Sequence, residues 1–199
     1  MPKHYSINEI FYSLQGEGVR QGTPNVFVRF AACNLTCKME SHGFDCDTEF
    51  ANGRPFSQPE LLMEMDRLAG LCRSVVLTGG EPLLQVDESL VSRLKAAGWF
   101  IALETNGSKP VPSAIDWITC SPKVAEHAVM VDRAQEVKYV RHAGQALPKP
   151  HCKADHYLLS PAWTTNGMDR ASLEWCIKLC KENPVWRLST QQHKAWSVR

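Results

Sequence analysis

Apolar positions along the chain recur with two different periods. Asn25–Ala31 carries Val26, Val28 and Phe30 on one face and Phe27 and Arg29 on the other, the alternation of a strand. Leu61, Leu62, Met65, Leu68, Ala69 and Cys72 then recur at helical spacing behind a Ser57/Glu60 capping box. Ser74–Leu77 is a short apolar run that predicts a buried strand. Asp87 is the predicted N-cap of a helix bearing Val86, Leu90, Val91, Leu94 and Ala97, and Gly98 stops it. Trp99–Leu103, Ile115–Thr119, Glu136–Val140 and Tyr157–Leu159 again read as strands. A last helix is predicted over 169–182, with Leu173, Cys176, Ile177 and Cys180 on one stripe and Asn183-Pro184 at its end. Gln145–Lys153, with two prolines, is the best candidate for an exposed loop. Strands alternating with helices predict an α/β fold with a parallel sheet built from crossover units. The second half is poorer in helix, so some of its crossovers should be loops.

At 199 residues the chain fits one domain over 1–199, and 44% hydrophobic residues suffice for a core. It is short for a complete eight-fold barrel, typically ~250 residues. The 22 Lys and Arg against 21 Asp and Glu give a net charge of +1, which argues against a nucleic-acid surface. No apolar run is long enough for a bilayer, and Met1–Tyr5 lacks a secretory pattern, so a cytoplasmic protein is expected.

Eight cysteines change the picture. Cys33, Cys37 and Cys46 crowd into one loop directly after the first predicted strand. Three thiolates on one loop suit an iron–sulfur cluster with one iron free of protein ligands. They also suit zinc, because Cys33, Cys37, His42 and Cys46 make a Cys3His set. Buried free cysteines are the plain alternative. The loop alone leaves iron–sulfur and zinc open. Cys72, Cys120, Cys152, Cys176 and Cys180 read as packing residues.

Leu77-Thr78-Gly79-Gly80-Glu81-Pro82 ends the second buried strand, where two glycines let backbone approach a ligand. By itself this is an ordinary strand-to-helix turn. Together with the three-cysteine loop it resembles the radical S-adenosylmethionine superfamily. The chain keeps that superfamily's first cysteine spacer of three residues but places eight in the second, an enlarged cluster loop at 38–45. Further stretches resemble the 7-carboxy-7-deazaguanine synthase family, which tolerates such a loop. They are Glu9–Gly18, Phe27-Val28-Arg29-Phe30, Cys33-Asn34-Leu35, Cys46-Asp47-Thr48, Glu104-Thr105-Asn106-Gly107, Ser121-Pro122-Lys123 and the ending Trp186–Ser189 with Gln192-His193-Lys194. The resemblance covers nearly the whole chain.

The resemblance implies a modified, incomplete (β/α) barrel of about six strands with few helices. It implies a carbon–nitrogen lyase that converts 6-carboxy-5,6,7,8-tetrahydropterin to 7-carboxy-7-deazaguanine with loss of ammonia, in 7-deazapurine (queuosine-type) biosynthesis. Its cofactors would be a [4Fe-4S] cluster on Cys33, Cys37 and Cys46, S-adenosyl-L-methionine, and Mg2+ on Thr48. Gly79, Gly80, Glu81, Glu104, Thr105, Asn106, Ser121, Pro122 and Lys123 would surround the nucleotide. So would Asp45, which stands where the family often has an aromatic residue. The substrate set would be Leu14, Gln15, Gly16, Glu17, Arg29, Thr78, His193 and Arg199. Glu17 or the terminal carboxylate of Arg199 would meet the donor edge of the pterin, and Arg29 would grip its carboxylate. A homodimer and an electron donor such as a flavodoxin are also implied, with no nucleic-acid or membrane partner. The alternatives are another radical enzyme, such as one that activates a protein, and a non-enzymatic zinc-knuckle module.

Overall fold

The computed structural model describes residues 3–38, 46, 49–164 and 167–199. In chain order these form β1 (His4–Leu14), β2 (Pro24–Phe30), β3 (Arg54–Ser57), α1 (Gln58–Ala69), β4 (Ser74–Gly79), α2 (Glu88–Ala96), β5 (Phe100–Thr105), β6 (Trp117–Cys120) and β7 (Arg133–Arg141). Then come β8 (Lys153–Pro161), β9 (Trp163–Thr164), β10 (Gly167–Met168), α3 (Arg170–Glu182), β11 (Trp186–Leu188) and α4 (Gln192–Ala195). One sheet takes nine strands in the order β11-β8-β7-β6-β5-β4-β2-β1-β3, and β9 and β10 pair separately. From β2 to β11 neighbours are parallel; β1 and β3 are antiparallel additions at the edge.

All six predicted strands are present as β2 and β4–β8, the first two of the longer helices start from the expected caps, and the third falls within the predicted span. Ser57 and Glu60 form a reciprocal capping box on α1, Asp87 caps α2 and Asp169 caps α3. The crossovers from β5 to β6, β6 to β7 and β7 to β8 carry no α-helix among the described residues, as the poorer helical pattern of that half predicts.

Three strands of the sheet were not predicted. In β1 the register shifts between Ile7 and Glu9. Tyr5 and Ile7 face the main core before the bulge and Ile10 does so after it, so the period-2 signal changes parity within the strand. β3 contains Pro55 and sits at the edge, where a missing N–H is tolerated. β11 is only three residues long.

α1 and α2 cover one face of the sheet. Leu61, Met65, Leu90 and Leu94 pack there with Val26, Val28, Phe30, Leu77, Ile101 and Leu103, all fully buried. α3 covers the same sheet further along, through Cys176 and Leu179 against Val137, Leu159 and Trp186. Cys120 and Cys152 are buried in that second cluster, in keeping with a packing role. On the opposite face Phe11 stacks on Phe27, ring centroids 5.0 Å apart, beside Val76 and Ala102. A polar row also crosses this face in register: Arg29 beside Thr78, Glu104 beside Thr119, and Thr119 beside Glu136.

The sheet is strongly curved. Seven inter-strand steps separate β11 from β1, roughly 34 Å in a flat sheet at the usual strand spacing. Yet just past the ends of these two strands the chain meets itself, with Ser189 Oγ accepting from Gly18 N at 3.0 Å and Gln192 N donating to Gly16 O at 2.9 Å. The sheet therefore wraps around its polar face as an incomplete barrel.

The Asp87 cap also anchors the N-terminus. Its carboxylate accepts from Leu90 N at 2.9 Å, from Tyr5 Oη at 3.2 Å and from the Lys3 ammonium. Partial burial pushes its pKa up, but the bonds from Lys3 and Leu90 outweigh that and hold it below the usual Asp value. Asp87→Ala should lower the unfolding free energy by about 1 kcal/mol near neutral pH, measured by urea titration. Because the folded pKa is depressed, the deficit should shrink as pH falls through it.

Candidate active site

Four consecutive parallel strands end on one rim, where function collects in barrels of this kind. β2 leads into Cys33, β4 into Gly80, β5 into Asn106 and β6 into Ser121. These ends line a cavity of about 240 Å³ together with Cys37, Cys46 and Lys123. Cys33, Cys37 and Cys46 all face this one cavity, and Cys46 N donates to Cys37 O at 3.4 Å. Burial pushes the thiols of Cys33 and Cys37 up; the Leu35 N–H partly offsets this at Cys33, and the Lys123 ammonium at Cys37. Among the described residues no three His, Cys, Asp or Glu side chains are grouped tightly enough to hold a single metal ion. Asp45 and Thr48, with His42 and Asp47, lie outside the described residues, as does most of the enlarged loop.

The cysteine loop is clamped to its neighbours. Gly80 N donates to Phe30 O at 3.2 Å, and Glu81 N to Ala32 O at 3.0 Å. A Cβ on Gly79, whose φ is +134°, would come within 2.2 Å of Phe30 O, and one on Gly80 within 2.2 Å of Ala32 O. Only glycine lets β4 run this close to the start of the cysteine loop. From the other side, Asn106 Nδ2 donates to Asn34 Oδ1 at 3.1 Å, and Asn34 Nδ2 to Ser108 Oγ at 2.9 Å.

Glu81 is fully buried and does not line the cavity. Its carboxylate accepts from Thr105 Oγ1 at 2.8 Å, Asn106 N at 2.7 Å and Leu83 N at 3.0 Å. Burial raises its pKa, and these bonds only partly counter the rise. The expectation of a cofactor-facing carboxylate thus becomes a brace beneath the Thr105-Asn106 turn. Pro122 is also absent from the lining, whereas Ser121 and Lys123 on either side face the cavity, with Lys123 Nζ donating to Ser121 Oγ at 2.7 Å.

A second cavity of about 400 Å³ takes in Leu14, Gln15, Gly16, Glu17, Arg29, Thr78, His193 and Arg199. The sequence-assigned substrate set therefore surrounds one space. Arg29 is paired by its Nε to Glu9 Oε1 at 2.8 Å, and Arg199 reaches the other oxygen of Glu9 at 2.7 Å. A Cβ on Gly16 would fall 2.2 Å from His193 Nδ1, so the first turn and the C-terminal segment are in close contact. Glu17, Thr78, Glu104 and Gln191 line both cavities and form the wall between them. Within that wall Thr78 Oγ1 donates to Glu104 Oε2 at 3.1 Å and Gln15 Nε2 to Glu104 Oε1 at 2.9 Å.

Several lining residues were missed from sequence: Thr119, Lys138, Ser160, Trp163 and Gln191. Lys138 matters most. It forms an ion pair with Glu17, whose other carboxylate oxygen accepts from Gln191 Nε2 at 2.9 Å. Burial would raise the Glu17 pKa, but the adjacent Lys138 ammonium, with Gln191 and His193, brings it down to about 2. Burial works against the Lys138 charge as well, and Glu17 and Glu104 together push its pKa up instead. Glu136, on the same face of β7, accepts from Val19 N at 2.8 Å and Thr119 Oγ1 at 2.7 Å. A signal for Lys138 existed in sequence: Glu136 and Lys138 alternate with Val137 and Tyr139, so one face of a buried strand is charged.

No helix among the described residues is long and apolar enough to cross a membrane. No protein-family model matches the chain. A 7-carboxy-7-deazaguanine synthase of Bacteroides thetaiotaomicron is 40% identical over 97% of this chain and 98% of its own length. The protein of the same name from Burkholderia multivorans is 42% identical over 98% and 99%. The crystal structure of QueE from Escherichia coli superposes with a TM-score of 0.70 at 27% identity, covering 94% of each chain. With these relatives matching from end to end, and the three cysteines and glycine turn gathered on one rim, the chain belongs to the 7-carboxy-7-deazaguanine synthase family.

Proposed function

We propose that the chain is a radical S-adenosylmethionine enzyme that converts 6-carboxy-5,6,7,8-tetrahydropterin to 7-carboxy-7-deazaguanine with loss of ammonia, serving 7-deazapurine (queuosine-type) biosynthesis. The observation that carries this reading is the near full-length likeness to synthases of that name. Its support in the geometry is the convergence of Cys33, Cys37 and Cys46 with Gly79 and Gly80 on one cavity.

The residues fit the cofactors. Three sulfurs on one wall can hold a [4Fe-4S] cluster with one iron open, and the close-packed Gly79-Gly80 backbone leaves the neighbouring wall free of side chains. When bound, the cluster and S-adenosyl-L-methionine supply hydrogen-atom abstraction after one-electron cleavage of a sulfonium. Thr105, Asn106, Ser121 and Lys123 offer hydroxyl, amide and ammonium groups to the nucleotide beside it. Thr48, with substrate oxygens, would hold Mg2+, a cation that commonly takes few protein ligands.

The second cavity holds the pterin in this reading. Glu17 accepts from its ring N–H and exocyclic amine, and Arg29 reaches its carboxylate. Gln15, Gly16 and His193 border the ring, while Thr78 and Glu104 separate it from the nucleotide. The whole chain acts as one domain over 1–199. A homodimer, a reductant such as a flavodoxin and a cytoplasmic location complete the proposal.

An anaerobic assay with reconstituted protein, S-adenosyl-L-methionine, reductant and the carboxypterin tests it. Deazapurine detected by mass, and dependent on every component, is the expected result. Nucleotide cleavage without deazapurine would point to another radical enzyme, and zinc with no cleavage to a structural knuckle. Cys46→Ala should abolish cleavage, and Thr48→Ala should chiefly reduce stimulation by magnesium.

Glu81→Gln should separate bracing from contact. An amide nitrogen cannot accept the N–H groups that both carboxylate oxygens now take, so stability should fall by about 1–3 kcal/mol. Affinity for S-adenosyl-L-methionine, measured by equilibrium binding on the folded variant, should weaken as Asn106 loses its support. Unchanged stability and affinity would remove the brace from the account.

A further inference from the structure

Lys138 is a charged group in the wall of the site to which no step above assigns a task. It lies on β7, with a side chain only 12% exposed, and its ammonium meets Glu17, itself 15% exposed. Gln191 Nε2 fixes the second oxygen of the same carboxylate. Glu136, two residues before Lys138, holds Val19 N and so fixes the far side of the turn that carries Glu17. Ser121 Oγ donates to the Lys138 carbonyl at 3.0 Å, tying this point of β7 to the nucleotide rim. The turn's carboxylate is thus held by side chains from β7 and from the C-terminal segment.

We propose that Lys138 is a specificity-determining residue, holding Glu17 as an acceptor-only carboxylate so that the site selects a heterocycle presenting donors on its recognition edge. This rests on the reading of Glu17 as the group that meets the pterin. Chemically, a carboxylate accepts hydrogen bonds and donates none, whereas a protonated carboxyl also donates. Without a cation beside it, a buried carboxyl is pushed toward the protonated form. Lys138 therefore decides which edge of a ligand the site can satisfy. Glu104 from β5, Glu136 from β7 and His193 from the C-terminal segment are the other charged or titratable groups acting on the pair; Arg20 from the same turn acts on Glu104 and Glu136 instead, its guanidinium held by Asn25 Oδ1 at 2.7 Å and Ser74 Oγ at 2.8 Å. Glu104 and Glu136 are acidic, so they cannot replace the lost cation. His193 could do so only in its cationic form.

The test compares two stable ligands that need neither cluster nor turnover: 6-carboxypterin, and 6-carboxylumazine, in which a carbonyl replaces the exocyclic amine. Affinities for both are measured by calorimetry on the full-length protein. Wild type should favour the pterin by roughly 100-fold or more, since a site built around a hydrogen-bonding edge strongly rejects the wrong one. Lys138→Met should cut that ratio by about tenfold or more near neutral pH. The ratio should recover as pH rises, because Glu17 ionises again above its now elevated pKa. Lys138→Arg should keep the wild-type ratio. Circular dichroism checks folding, and Lys138→Gln, which can still hydrogen-bond Glu17, carries the same expectation if the methionine variant does not fold. An unchanged ratio in the folded Met or Gln variant overturns the role of Lys138 while leaving the pterin reading intact. A wild-type protein with no preference for the pterin overturns the reading of Glu17 itself, and the inference with it.

Discussion

Charge carried into the hollow of a curved sheet has to be paired there. The concave face bears Arg29, Glu104, Glu136 and Lys138, and an unpaired ion in that setting is costly. Lys138 and Glu17 resolve the largest part of this problem together, since each ammonium or carboxylate alone would be driven toward neutrality. Their pairing requires the turn after β1 to lie across the hollow, within reach of β7. Glu136 holds the next residues of that turn, and Ser189 and Gln192 join it from the C-terminal side. The turn to which the proposal gives ligand recognition is thus also the strap that ties the two ends of the curved sheet together.

The rim follows from a different constraint. Parallel strands place all their C-terminal ends on one side. The chain links these ends to one another by backbone pairs and by side chains that reach sideways. Glu81 takes the N–H of Asn106, Asn34 takes the amide of Asn106, and Ser121 N finds Thr105 O at 2.8 Å. These links make the cysteine loop, the glycine turn and the Thr105-Asn106 turn one connected ledge. In the proposed reading a cluster held at such a ledge would be fixed relative to the nucleotide by these bonds, which would matter because hydrogen transfer tolerates little misplacement.

Local signals carried much of this. The strands β2 and β4–β8 and the caps Ser57 and Asp87 are readable because alternation and capping depend on near neighbours in sequence. The bulge in β1 hid a strand of 11 residues, because it switches the buried positions from one parity to the other. The cysteine loop stands out by its spacing, whereas the glycine turn takes on meaning only through the family resemblance. The bonds of Glu81 to Leu83 N, Thr105 Oγ1 and Asn106 N are not legible in sequence, since a buried carboxylate bound within the protein looks the same there as one facing a ligand. Lys138 was missed because its partner lies 121 residues away, a distance at which no spacing rule operates.

The two cavities explain why so few residues can serve two chemistries. Their common wall is Glu17, Thr78, Glu104 and Gln191, so the nucleotide and the heterocycle would be separated by one layer of side chains. Thr78 follows directly on the buried core of β4 and precedes Gly79, which places the wall one residue from the cluster ledge. Gln15 and Thr78 each donate to a different oxygen of Glu104, leaving that carboxylate held on both sides. A wall built this way cannot shift without disturbing β4, β5 and the strap together. In the proposed reading, position at the reacting centre would be set by bonds that also tie β4, β5 and the strap together, and substitutions in the hollow should be felt in ligand selection before they are felt in the helical core.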